Sequence, residues 1–177
     1  MSLADGQIIA TAPSGYCIDD IASQLNSDFA VLAPCASLGE GTPAPDVLGL
    51  VTLQVGPAES GAVAQDELAL RDFLITDAGA SLLSSEGDAA KVTILSTQAF
   101  NNQVMVHFED QGTPPIAGLQ DEEWRAFADI NGRLVTIAVR GLATAPLRDG
   151  PGAGLLKLML AGVKSVTPDT PQTASDA

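Results

Sequence analysis

The sequence predicts an α+β fold, a mainly antiparallel sheet of about seven strands covered by two helices. Two observations lead to this prediction: strand-like segments and hairpin turns fill most of the chain, whereas the helical period occurs in only two places. Hairpins join antiparallel neighbours, and two helices are enough to cover such a sheet. The chain has 177 residues, of which 46% are hydrophobic, so it is long and apolar enough to fold. We therefore expect a single α+β domain at residues 4–166.

The first part of the chain contains four strand-like segments, at residues 7–12, 16–18, 29–38 and 48–55. Segment 29–38 is apolar on both faces, as a buried strand is, and Pro34 within it indicates an edge position or a bulge. Turn-forming residues separate the segments, with Pro13 after the first strand and Gly56 after the fourth.

The helical period appears over residues 66–86 and again over about 155–166. In the first segment leucine or alanine recurs every four residues, which predicts one amphipathic helix that ends at Gly87. Before the second helix lies a glycine-rich segment, 150–154. It matches neither G-x-x-x-x-G-K-[ST] nor the full G-x-G-x-x-G pattern, so we interpret it as a connector and not as a phosphate-binding loop.

Two hairpins lie between these helices. Residues 92–100 are expected to pair with 104–108 across Asn101-Asn102, and 124–130 with 133–139 across Asn131-Gly132. Asparagine and glycine favour the positive φ angles that a two-residue hairpin turn needs. The acidic, proline-rich stretch 109–123 between the hairpins is predicted to be a loop, and the polar tail 167–177 is predicted to be disordered.

This order of elements resembles the PsbP-like α/β/α sandwich: early short strands, a central helix, two consecutive hairpins and a C-terminal helix. That fold is shared by the photosystem PsbP proteins and the Ran-binding Mog protein, and the resemblance covers most of the chain. Segment 15–19 (GYCID), the later Cys35 and segment 131–135 (NGRLV) also resemble small uncharacterised proteins of alphaproteobacteria. The second resemblance implies an exported protein and supplies no functional residues, because that family has no established activity.

The charge of the chain restricts its partners. Asp and Glu number 22 against 8 Lys and Arg, a formal net charge of −14, which repels phosphate and argues against nucleic-acid binding. No stretch has the 18 or more apolar residues of a membrane helix, so we predict no transmembrane segment. The acidic runs 19–20, 109–110 and 121–123 are interpreted as solvated loop charge. Weak calcium binding is their functional alternative, although the D-x-[DN]-x-[DN]-G spacing is absent.

The two cysteines, Cys17 and Cys35, favour a disulfide, because their number is even and the loop between them is modest. The alternative is two unrelated buried thiols. A disulfide fits an exported bacterial protein, yet the chain begins Met-Ser-Leu without a recognisable signal peptide. We therefore expect a periplasmic or envelope-attached protein if a vector-derived start has replaced an export signal, and a cytoplasmic one otherwise.

Catalytic motifs are sparse. One His and two Cys exclude multi-Cys/His zinc or iron–sulfur sites, and we predict no cofactor. A cysteine nucleophile with His107 as its base lacks a nearby cation to activate the thiol. No G-x-S-x-G motif is present. Carboxylate pairs of the glycosidase kind come from separate strands and leave no local pattern.

A recognition surface is the remaining candidate site. Trp124 follows an acidic run, and Pro114, Pro115 and Ile116 lie in the proline-rich loop, a type of segment that often carries binding residues on a rigid sheet. Trp124 as a core residue is the alternative. The leading hypothesis is thus a non-catalytic exported domain that binds a protein partner or small ligand on one sheet face. Its rival is a hydrolase, Cys–His or carboxylate-based, whose site assembles only in three dimensions.

Overall fold

Ten strands form two antiparallel sheets in the computed structural model, which describes residues 1–61 and 66–166. The strands are β1 Ser2–Leu3, β2 Ile8–Ala10, β3 Tyr16–Ile18, β4 Phe29–Pro34, β5 Leu50–Val55, β6 Val92–Phe100, β7 Gln103–Asp110, β8 Leu119–Ile130, β9 Arg133–Leu142 and β10 Val163–Ser165. The larger sheet has seven strands in the order β3-β4-β5-β9-β8-β7-β6, and the smaller has three in the order β1-β2-β10.

The predicted α+β fold with a seven-stranded antiparallel sheet is confirmed, and the helices number three in the described residues. They are α1 Glu67–Leu74, α2 Asp77–Leu83 and α3 Asp149–Ala161. The strand expected at 7–12 is shorter and belongs to the small sheet, where β2 pairs with β1 and β10. The predicted tail at 167–177 lies outside the described residues, and the domain bounds 4–166 stay a prediction.

The helix predicted over 66–86 is broken into α1 and α2. The side chain of Thr76 accepts a hydrogen bond from the Gly79 amide at 3.2 Å and so begins a new helix. A Cβ at Gly79 would collide with the Phe73 carbonyl oxygen, so glycine allows α2 to fold back closely on α1. The four-residue period continues across this break, which is why the sequence pattern did not reveal it.

Helix α3 begins at Asp149, about six residues earlier than predicted, and includes the glycine-rich connector. Pro151 lies in its first turn, where a missing amide costs no helical hydrogen bond. Gly152 lies against Trp124, and a Cβ there would come within 2.5 Å of the indole ring. Close packing therefore requires glycine at position 152. The glycine-rich composition of 150–154 does not indicate a helix, so the first turns of α3 were not predicted.

Both predicted hairpins are confirmed. Asn101 and Asn102 form the first two-residue turn with φ of 52° and 59°, and Asn131 and Gly132 form the second with φ of 57° and 72°. The strands extend further than predicted, because β7 continues to Asp110 and β8 begins at Leu119. The connection between the hairpins is accordingly 111–118 and not the whole of 109–123.

The large sheet has helices on both faces, which makes a three-layer arrangement. On one face, called the α3 face, Trp124 and Ile137 pack with Met159 of α3 in the main core. On the other, the α1–α2 face, Val106 and Phe108 pack with Leu74 and Leu83 in a smaller core. Helices α1 and α2 contact β6 and β7, and the α1–α2 face over β4 and β5 is not covered by either helix in the described structure.

Candidate functional site

The uncovered part of the α1–α2 face forms an apolar groove. Two cavities of about 340 and 440 Å³ lie there and share Leu50, Ile116 and Leu119 as lining residues. We call this surface the Ile116 groove; its main lining residues are Leu48, Leu50, Thr52, Ile116, Leu119 and Leu142. Leu48, Ile116 and Leu142 are 38%, 44% and 41% exposed. Three large aliphatic side chains that stay half-exposed around one depression are typical of a binding surface.

A buried ionic network closes one end of the Ile116 groove. Glu123 accepts hydrogen bonds from Arg125 and from Arg140, both at 2.5 Å. Arg140 also lies 3.7 Å from Asp110. The carboxylate of Asp110 accepts hydrogen bonds from the backbone amides of Ser85 and Gly112. These cations are therefore neutralised within the protein, and the groove presents little unbalanced charge.

This network corrects the interpretation of two acidic runs as solvated loop charge. Asp110 is fully buried and Glu123 is 2% exposed, because the extended strands β7 and β8 place both beside Arg140. Burial alone would raise the pKa of Asp110, but the amides of Ser85 and Gly112, together with Arg140, outweigh it and hold that pKa below its usual value. The two carboxylates are structural groups.

The predicted disulfide is present in the structure. Cys17 of β3 is bonded to Cys35, which begins a 3-10 turn after β4, with the Cα atoms 4.8 Å apart. Cys17 and Cys35 lie near Glu40, but sulfurs bonded to each other are poor metal ligands. Five strand spacings separate β3 from β7, about 24 Å, so neither cysteine can act with His107.

His107 lies in a second candidate site on the α3 face. Because His107 pairs with Trp124 across β7 and β8, their rings stack at 4.4 Å with an interplanar angle of 12°. The imidazole Nε2 lies 3.0 Å from Glu122 Oε2, and Nδ1 lies 3.4 Å from Asp149 Oδ1. The ring is 8% exposed and lines two cavities of about 320 and 680 Å³ beside β6. We call this arrangement the His107 site.

The predicted recognition residues are divided between the two faces. Trp124 is 2% exposed beneath α3, so it packs in the main core, and its Nε1 has no hydrogen-bond partner among the described residues. Pro115 and Ile116 line the groove on the opposite face, and Pro114 is half-buried in the same loop. The structure therefore brings the loop residues to the Ile116 groove and does not bring Trp124 to them.

Sequence reasoning missed the carboxylates around His107. Glu122 belongs to the run interpreted as loop charge, and Asp149 immediately precedes the glycine-rich segment whose helix was not predicted. The calcium hypothesis gains no support, since the described residues bring no three carboxylates of the acidic runs into one cluster. In the described ranges, none of the helices is sufficiently long and apolar to span a lipid bilayer.

The fold and its layers are those of a PsbP-like, Mog-type α/β/α sandwich. The chain is similar to the structure of the Ran-binding protein Mog1p of Saccharomyces cerevisiae, with a TM-score of 0.57 and 13% identity over 94% of each chain. A structure of a Mog1 point mutant gives a TM-score of 0.58 and 12% identity over 95% of each chain. A solution structure of cyanobacterial PsbP from Synechocystis gives 0.47 and 12%, over 94% of this chain and 91% of that one.

No protein-family model matches the chain. No curated protein matches it either. The similarity to solved structures thus concerns the fold, and the resemblance to exported alphaproteobacterial proteins stays a prediction.

Proposed function

We propose that this chain is a non-catalytic protein-binding module that docks its partner in the Ile116 groove. The observation that carries the proposal is the apolar, uncovered half of the α1–α2 face, with Leu48, Ile116 and Leu142 half-exposed around it. A domain normally covers such a surface with a helix or a partner, because exposed apolar area costs free energy. The protein described as Mog1p is named as Ran-binding, so a protein partner has a precedent on this fold.

The groove and the overall charge define the chemistry of this partner. Glu123 and Asp110 together balance the charges of Arg125 and Arg140 at the groove, so the floor of the groove favours an apolar segment. The remaining surface belongs to a chain of net charge −14, which attracts a basic surface over distances of about 10 Å. We infer an aliphatic segment that projects from a basic region of the partner protein.

Photo-crosslinking tests this proposal. A photoreactive amino acid at position 116 should crosslink one protein in an extract of the source organism, and the same amino acid at position 82 of α2 should not. Leu82 is a matched control because it is an apolar residue, 68% exposed, outside the groove. In a pull-down with the chain free of photoreactive amino acids, the wild type should capture that protein and Ile116→Asp should not. Equal crosslinking from both positions, or capture that survives Ile116→Asp, would refute the groove as the docking site.

We further propose an oxidising compartment, periplasmic or envelope-attached. The Cys17–Cys35 disulfide supports this placement, because disulfides persist where thiol reductants are absent. Fractionation of the source cells should recover the protein outside the cytoplasm with its thiols unavailable to alkylation. Recovery in the cytoplasm with both thiols reactive would overturn the placement.

A hydrolase is the second candidate, and one observation favours it. The sole histidine, His107, lies between the carboxylates of Glu122 and Asp149 in a cavity wall, with Ser96 opposite it on β6. Yet Nε2 is engaged by Glu122, so it is not directed to a nucleophile. With ester and glycoside substrates, the wild-type protein should show no turnover above that of the His107→Gln variant. Turnover that His107→Gln removes would establish the hydrolase and refute the non-catalytic proposal.

A further inference from the structure

Strand β6 is an unusually unprotected sheet edge. It runs for nine residues, Val92–Phe100, without a charged residue or a proline, and within the described chain it pairs with β7 alone. Natural edge strands are generally kept apart by charges, prolines, bulges or short length. The opposite edge, β3, has only three residues and is followed by Asp19. Of these protective features β6 has only a bulge, between Ile94 and Ser96, and its pairing with β7 is regular from Ser96 to Phe100.

The hairpin geometry shows which backbone groups of β6 remain available. Phe100 and Gln103 close the two-residue turn and form a hydrogen-bonded pair, so alternate residues along β6 direct their groups towards β7. Thr97 and Ala99 alternate with these residues, so their backbone amides and carbonyls are directed away from β7. This edge therefore offers two donors and two acceptors in the geometry that an added antiparallel strand requires.

The charge around β6 differs from that of the chain as a whole. Only eight residues are basic, yet Lys91 immediately precedes β6, and Arg148 and Lys157 line the cavities beside it. Glu122 and Asp149 line or approach the same cavities, so charges of both signs flank the edge. Two copies of a chain with net charge −14 repel each other least where their surfaces are locally balanced.

We propose that β6 is the surface through which two copies of this chain associate, with the two β6 strands antiparallel and the large sheets joined into one. A two-fold axis at Gln98 pairs Thr97 of each copy with Ala99 of the other, so all the available groups are used. Such an axis is perpendicular to the sheet, because it relates two antiparallel neighbours. Both α3 faces then lie on the same side of the joined sheet.

The pairing has a consequence for the His107 site. His107 lies on β7 opposite Ser96, so the two sites are three strand spacings apart across the joined sheet, about 14 Å, and offset by four residues along the strands, about 13 Å, which puts them about 19 Å apart. The cavities lined by Ser96 and Gln98 lie beside the shared edge. Association through β6 therefore turns two cavities at the margins of separate sheets into neighbouring parts of one surface. This inference does not rest on the Ile116 groove, which lies on the other face.

Charge substitutions at the proposed axis test the association. In this register Gln98 faces Gln98 of the second copy in a non-hydrogen-bonded pair, where side chains are closest and like charges destabilise. Gln98 is exposed, so its substitution leaves the core intact. The wild-type chain should form dimers across the micromolar range in sedimentation velocity, and Gln98→Lys and Gln98→Glu should each weaken self-association at least tenfold. An equimolar mixture of the two variants should restore the dimer.

A backbone substitution gives an independent test. Thr97→Pro removes an outward amide that the β6–β7 pairing does not use, whereas Thr97→Ala retains it. The first should abolish the dimer and the second should retain it, with Trp124 fluorescence reporting whether each variant folds. If Thr97→Pro fails to fold, the mixture of the Gln98→Lys and Gln98→Glu variants decides whether β6 is the contact. The inference is overturned if the wild-type chain stays monomeric, or if it dimerises and no Gln98 variant changes the dimer. It is also overturned if only Ile116→Asp abolishes the dimer, because the contact then lies in the Ile116 groove.

Discussion

Substitution of Gly152 by alanine should destabilise the protein, although the same change normally strengthens a helix. Alanine exceeds glycine in helix propensity by about 1 kcal/mol. A Cβ at Gly152, however, would lie 2.5 Å from two atoms of the Trp124 ring and 2.6 Å from a third, at least 0.8 Å inside the ordinary contact range that begins at 3.4 Å. Overpacking of this kind costs about 1–3 kcal/mol. The ring cannot retreat freely, because it also stacks on His107.

Gly154 is the matched control in the same helix. A Cβ there meets nothing within 4 Å, so Gly154→Ala should raise the free energy of unfolding by up to about 1 kcal/mol. Gly152→Ala should lower it by up to about 2 kcal/mol, once the gain in propensity is subtracted from the steric cost. Urea unfolding followed by fluorescence measures both, because Trp124 is the only tryptophan. Equal stabilisation by the two substitutions would refute the packing of α3 on Trp124.

Three further outcomes are expected. Burial raises the pKa of Tyr16 to about 12, against the opposing hydrogen bond from the Gly49 amide. The stability that this phenol contributes should be present below about pH 10 and lost towards pH 12. Absorbance at alkaline pH reports the ionisation of Tyr16 directly, because Tyr16 is the sole tyrosine. Arg140→Met should cost about 3–5 kcal/mol in urea unfolding, because it removes the buried guanidinium that bonds to Glu123 and lies 3.7 Å from Asp110, while both carboxylates stay buried. Reduction of the Cys17–Cys35 disulfide should lower the unfolding free energy by about 3 kcal/mol, and alkylation before and after reduction, read by intact mass, confirms which state is measured.

The sequence predicted best those elements whose signals are local. Asn131-Gly132 specifies a hairpin through the φ angles of two residues, and the structure has that hairpin in the expected register. The early start of α3 escaped prediction because it depends on a distant partner, Trp124, and the break at Thr76 escaped because the four-residue period continues across it. The contacts of Gly79 with Phe73 and of Gly152 with Trp124 form only in the folded chain, so neither packing role was visible in the sequence, and Gly152 was interpreted as part of a connector.

The candidate sites were predicted less well, for the same physical reason. Ile116 was identified from its loop, yet nothing local showed that the loop borders an uncovered sheet face. Trp124 was assigned to the same surface, but strand alternation and α3 place its ring on the opposite face. The partners of His107 come from β8 and from the first residue of α3, so their meeting depends on tertiary structure that no spacing along the chain encodes.

The break between α1 and α2 also explains why a groove exists. A continuous helix over residues 66–86 would extend about 31 Å, since each residue adds about 1.5 Å. That length exceeds the distance of about 24 Å across the six strands from β4 to β6, so such a helix could cross this whole part of the sheet. The cap at Thr76 and the close packing at Gly79 instead fold the segment back over β6 and β7. The face over β4 and β5 is left open by the same two residues that interrupt the helix, which links a local capping choice to the surface proposed to bind a partner.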